Sequence, residues 1–162
     1  MPIVLIGPPA AGKSSVGRKL AKRLRVDFLD TDRIIVAAHG PIADIFREHG
    51  EPRFRAIERE TVARALEGDA VVSLGGGAVL HPDTRDDLAA IPVVLLTVSR
   101  EAVQSRIGGS KRPLVQGIDS WQELVDSRAD LYASLASVTF DTSDRPISHI
   151  VADIADWAEE RA

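Results

Sequence analysis

The run Gly7-Pro8-Pro9-Ala10-Ala11-Gly12-Lys13-Ser14 fits the pattern G-x-x-x-x-G-K-[ST], and its residue types suit phosphate binding. Glycines at both ends let the backbone fold tightly and turn several N–H groups inward. Those donors, with the N-terminus of a following helix, make a concave site for the β-phosphate region of a nucleotide. Lys13 adds a point charge for the β- and γ-phosphates, and the Ser14 hydroxyl is placed to hold Mg²⁺. The flanks give the pattern its weight. The apolar run Ile3-Val4-Leu5-Ile6 precedes it and helical spacing follows. A plain Gly/Pro turn between strand and helix is the competing reading.

Further along, Asp30-Thr31-Asp32 follows the strand-like Asp27-Phe28-Leu29. If that strand stays extended, both carboxylates point to one side and Thr31 to the other. One, near Ser14, could serve Mg²⁺ through water. The other could orient and deprotonate an acceptor hydroxyl. Capping of the next helix explains the same triplet. Gly75-Gly76-Gly77 lacks side chains at three successive positions, so a substrate or backbone can approach closely; an ordinary turn is the other reading. Arg55 and Glu58 are i, i+3 neighbours, and Glu58 either orients the guanidinium or makes a surface ion pair with it. Arg106 and Arg112 flank and occupy Ile107 to Asp119, a stretch without periodicity. Cations there suit a mobile lid that closes over phosphates. His39, His49, His81 and His149 show no metal-ligand spacing. Cysteine is absent, which excludes disulfides, thiol nucleophiles and Cys-ligated zinc.

These groups need elements to position them. Val16, Leu20 and Leu24 recur at i, i+4, i+8 after the loop and predict an amphipathic helix. Its basic residues, Arg18, Lys19, Lys22, Arg23 and Arg25, read as a solvated face. From Arg33 to Leu66 the pattern is helical, broken at His39-Gly40-Pro41 and at Gly50-Glu51-Pro52. Val71 to Leu74, Val93 to Val98 and Val138 to Phe140 read as strands. Asp83 to Ala90, Ser99 to Arg106, Ser120 to Ala136 and Ile147 to Glu160 read as helices. Strands alternating with helices predict an α/β domain with a five-stranded, mainly parallel sheet flanked by helices. Ligands of such sheets bind beyond the carboxyl ends of the strands. Gly7 to Ser14, Asp30 to Asp32, Gly75 to Gly77 and Thr142 to Arg145 all follow predicted strands, so they converge on one site.

The totals set outer bounds. With 162 residues, 44% hydrophobic and 27% charged, the chain has the make-up of a soluble globular domain with a real core. A net charge of −4 gives no reason to expect nucleic acid or an anionic membrane as partner. No run approaches the ~18 apolar residues of a membrane span, and no leader pattern opens the chain. A cytoplasmic monomer is expected.

Taken together, GPPAAGKSS, DFLDTD, FRAIE, SLGGGAV, KRPL, SRADLY and FDTSDRP, in this order and spacing, resemble shikimate kinase from Ile3 to about Ile154. The loop alone is shared with many nucleotide kinases. Its combination with D-T-D, F-R-x-x-E and G-G-G is much more specific. The resemblance implies a P-loop kinase fold like that of nucleoside monophosphate kinases, as a single domain over 1–162. It assigns substrate binding to about 32–60 and a lid to about 107–119. It implies transfer of the γ-phosphoryl group of ATP, with Mg²⁺, to the 3-hydroxyl of shikimate. By position, Gly7, Ala10, Ala11, Gly12, Lys13, Ser14 and Ser15 correspond to the nucleotide loop, and Ser14 and Asp30 to the metal contacts. Asp32, Arg55, Gly75, Gly76, Gly77 and Arg128 correspond to the shikimate contacts. Arg112 is similar to the family's ATP-contacting lid arginine, assisted by Arg106, and Arg145 and Pro146 fall in its adenine loop. Lys13, Asp32 and Arg112 are the expected catalytic residues. Three departures stand out: Ala10-Ala11 replaces a common Gly-Ser pair, Asp130 stands where many relatives have proline and Ala-Ser follows Tyr132 in place of charged residues, and the adenine loop is short. The rivals are another small-molecule P-loop kinase, such as a gluconate kinase, and a non-catalytic nucleotide-binding regulator.

Overall fold

Strands β1 (Ile3–Ile6), β3 (Ala70–Ser73) and β4 (Val93–Thr97) are almost wholly buried rather than alternately buried. That pattern belongs to a parallel sheet covered on both faces. The computed structural model describes residues 1–108 and 117–162, and among these it places one five-stranded sheet in the order β2-β3-β1-β4-β5. Every pairing is parallel, with β2 spanning Asp27–Asp30 and β5 spanning Val138–Asp141.

One face is covered by α1 (Lys13–Leu24) and α8 (Ile147–Glu160), whose Val16, Leu20, Ile150 and Ile154 join Leu5, Val94 and Leu96. Trp121 of α7 (Gly117–Leu135) belongs to the same cluster. On the other face Val4, Ile6, Val72 and Leu95 pack with Val62, Leu88 and Tyr132. Val62 comes from α4 (Glu51–Ala65) and Leu88 from α5 (Pro82–Leu88). Between β2 and α4, α2 (Thr31–His39) and α3 (Ile42–His49) bring Ile35 and Ile45 against Phe54 and Ile57, a small core of their own. The helix breaks fall at Gly40 and Gly50, both with φ above +80°.

Two expectations need correcting. The second strand does not continue through Asp32: it ends at Asp30, and α2 begins at Thr31. Asp30 turns the chain as N-cap, its Oδ1 accepting from the Arg33 N–H at 3.2 Å. Strand alternation therefore does not explain how Asp30 and Asp32 reach the site; the first turn of a helix does. The aperiodic stretch Ile107 to Asp119 is also partly helical at both ends. The helix α6 (Arg100–Gly108) runs into it, and α7 begins at Gly117. Ile118 packs on the main core and starts the stripe that continues to Trp121 and Val125, a period the neighbouring glycines hid. The remainder, with Arg112, lies outside the described residues.

Candidate active site

Beyond β1 the chain turns sharply because Gly7 has φ +147°, and a Cβ there would collide with the Leu96 carbonyl of β4. Gly12, at φ +89°, opens α1, which no side chain caps. The first N–H groups of α1 are thus left for an anion. Lys13 folds back across the loop, its Nζ donating to the carbonyls of Gly7 at 2.6 Å and Pro8 at 3.1 Å. Burial lowers its pKa to about 8, Asp32 and Asp30 pull the other way, and Arg128 adds to the lowering. The Ser14 hydroxyl donates to Asp30 Oδ2 at 2.8 Å. Asp30 is thus the helix cap that one sequence reading expected, and it also accepts from the Ser14 hydroxyl.

The acceptor side is built over the glycine turn after β3. A Cβ on Gly75 would lie 2.5 Å from Asp32 Oδ1, and one on Gly77 would lie 2.5 Å from Arg55 Nη1. Above Gly76 the nearest atom would be Arg128 Nη1, at 3.3 Å. The three missing side chains thus make room for one carboxylate and two guanidinium groups of this chain, rather than directly for a ligand or for backbone. Arg55 is fixed by Glu58, with Nη1 donating to Oε1 at 2.7 Å, and by Glu51 at 3.5 Å. Glu58 is only 3% exposed, so this is no surface pair. Burial raises the Glu58 pKa against the pull of Arg55. Burial also raises that of Asp32, and the Asp30 charge adds to it; Lys13 and Arg55 oppose.

A cavity of about 440 Å³ joins the two halves, lined by Ala10 to Ser15 on one side and by Asp32, Gly75 and Gly76 on the other. A neighbouring cavity of about 580 Å³ is bordered by Ser99, Ser105, Arg106 and Ser143. Arg106 spans from there to the loop: Nη1 donates to the Ala10 carbonyl at 3.0 Å, and Nη2 to that of Thr142. Arg145 turns instead to Asp153 of α8, at 2.5 Å, and Pro146 caps the start of that helix. Among the described residues no cluster of three His, Cys, Asp or Glu could hold a metal.

Three residues hold these groups, of which sequence reading placed Thr142 only as part of the loop Thr142 to Arg145 and passed over the other two. The Tyr132 hydroxyl donates to the Gly76 carbonyl at 2.6 Å, and the Trp121 indole N–H to that of Pro9 at 2.7 Å. Thr142 Oγ1 donates to the Ala11 carbonyl at 2.8 Å. A signal for two of them existed: residues 121, 125, 128 and 132 share one helical face.

The comparisons with known proteins point the same way. The shikimate kinase family pattern matches residues 9–159. A shikimate kinase of Corynebacterium efficiens is 39% identical over 98% of this chain and 96% of its own. One of Thermobifida fusca is 49% identical over 87% of this chain and 85% of its own. The solved shikimate kinase from Acinetobacter baumannii in complex with shikimate superposes with a TM-score of 0.88 at 32% identity, covering 99% of this chain and 93% of that one. With a two-sided cavity on a parallel sheet and a family match over nearly its whole length, this chain belongs to the shikimate kinase family.

Proposed function

We propose that the chain transfers the γ-phosphoryl group of ATP to the 3-hydroxyl of shikimate, releasing ADP and shikimate 3-phosphate. The observation that carries this reading is the convergence of Asp32, Arg55 and Arg128 over Gly75-Gly76-Gly77, across one cavity from the phosphate loop. Shikimate bears a carboxylate and three hydroxyls. Arg55 and Arg128 suit bidentate pairing with the carboxylate, and Asp32 suits a ring hydroxyl. Gluconate also carries a carboxylate and hydroxyls, so the choice of shikimate over that rival rests on the family match over residues 9–159.

In this reading the open N–H groups of the loop and α1 hold the phosphates. Lys13 leaves the carbonyls of Gly7 and Pro8 to meet them. Asp32 accepts the proton of the attacking hydroxyl, and a carboxyl made more basic by burial suits that task. Ser14 and Asp30 offer two hard oxygens 2.8 Å apart, the donor type Mg²⁺ takes when phosphates and water supply its other ligands. When bound, the ion would neutralise phosphate charge as transfer proceeds. Arg112, from the segment between α6 and α7, would add a cation to the same charge. The Arg106 side of the loop and Ser143 border the space left for the base. No described helix is long and apolar enough to cross a membrane. A cytoplasmic monomer completes the reading.

A coupled assay of ADP release from Mg-ATP, run with shikimate, gluconate or AMP, tests it. Turnover is expected with shikimate alone. Absence of shikimate-dependent turnover in folded protein overturns the assignment.

A further inference from the structure

Three consecutive carbonyls of the phosphate loop are each held by a donor from a different part of the chain. Trp121 of α7 takes Pro9 at 2.7 Å, Arg106 of α6 takes Ala10 at 3.0 Å, and Thr142 after β5 takes Ala11 at 2.8 Å. Between them Ala10 sits at φ +71°, a left-handed conformation that residues with a Cβ avoid. Such a conformation persists only where its surroundings over-determine it.

The Pro9 contact has a directional consequence. In a trans peptide the C=O and N–H point opposite ways. Trp121 is 4% exposed, belongs to the core cluster beneath the sheet face, and reaches Pro9 from that side. The N–H of Ala10, in the same peptide, is therefore turned away from the core, toward the cavity that Ala10 lines. Pro9 also abuts the acceptor half: its Cδ is 3.6 Å from where a Cβ on Gly76 would lie. Arg128 and Tyr132, which meet the same glycine, stand on the same helix as Trp121.

We propose that Trp121 is a positioning residue for nucleotide binding, its indole N–H fixing the Pro9–Ala10 peptide so that the loop presents a donor to the phosphates. The inference rests on the reading of this loop as the nucleotide site. It adds that α7, which carries the acceptor arginine, also sets the donor loop.

Trp121→Phe keeps an aromatic ring in the core and removes only the donor. The test measures ADP and shikimate dissociation constants separately, each without the other ligand, alongside the melting temperature. The expected result is ADP binding weakened on the order of tenfold, with shikimate binding at its wild-type value. Unchanged ADP affinity overturns the proposal. Equal weakening of both ligands also overturns it, because that marks a general loss of structure. Should the wild type itself fail to bind ADP, the reading of the loop fails instead. If the Phe variant does not fold, Trp157→Phe leaves Trp121 as the single indole of the two in the chain. Saturating ADP is then expected to shift its emission, and an unchanged spectrum counts against the role.

Discussion

Lys13 and Asp32 face one cavity and depart from ordinary titration in opposite directions, both through burial. For Lys13 the folded value is about 8 against an ordinary 10.5, so between these limits the unfolded chain holds more protons. Stability of the unliganded protein should therefore rise with pH across that window. Phosphate charge reverses the effect by favouring the ammonium form. At about pH 8.5, nucleotide binding should take up protons, read as a buffer-dependent binding enthalpy in calorimetry. Binding without proton uptake would mean that Lys13 stays on the carbonyls of Gly7 and Pro8. For Asp32 the raised value of the free protein places the acid limb of kcat/KM above the ordinary carboxylate range, because the base is lost as pH falls through it. Asp32→Asn should cost about 10²–10⁴ in kcat while leaving ATP affinity intact. Loss of ATP affinity in that variant would show that Asp32 serves the wrong side of the site.

Among the elements, the glycine turn after β3 decides how sharply the acceptor site is drawn. Adding one methyl group separates its functional part from its structural one. In Gly77→Ala the three atoms nearest the new Cβ all belong to the Arg55 guanidinium, at 2.5–2.8 Å. The guanidinium must shift away from Glu58, so KM for shikimate should rise about tenfold, the worth of a charge-assisted hydrogen bond. KM for ATP and the melting temperature should stay close to wild type; a large drop in melting temperature without a change in shikimate KM would refute this account. The same turn shows what sequence could reveal. Gly7 to Ser14 was legible because its chemistry is local: spacing, strand before, helix after. By spacing alone the room over Gly75 to Gly77 reads only as a gap, because its occupants come from α2, α4 and α7; the family resemblance is what groups Asp32, Arg55 and Arg128 with it. Likewise the sequence leaves Asp30 open between helix cap and site carboxylate, since both tasks need the same residue type. Tyr132 and Trp121 were missed for a simpler reason: aromatic residues on an apolar stripe look like core, and they are core as well as donors.

At the scale of the molecule, the parallel sheet lets distant segments act together. Thr142 reaches Ala11 across 131 positions of sequence, and Arg106 reaches Ala10 across 96. An acidic chain of net charge −4 can bind two anions because the fold gathers Lys13, Arg55, Arg106 and Arg128 at one sheet edge. Arg55 is held by Glu58 and Arg106 by two carbonyls, which leaves Lys13 as the cation of the loop that meets the phosphates. The charge that develops on the γ-phosphoryl group in flight therefore calls for one cation more. The resemblance to the family assigns that cation to Arg112, which lies outside the described residues. If that is its task, Arg112→Ala should lower kcat by up to the ~10³-fold lower limit for arginine fingers. Shikimate binding measured without nucleotide should be unchanged, since Arg55 and Arg128 are intact. A variant that turns over at the wild-type rate would remove Arg112 from the reaction and leave Lys13 and the loop to carry the charge alone.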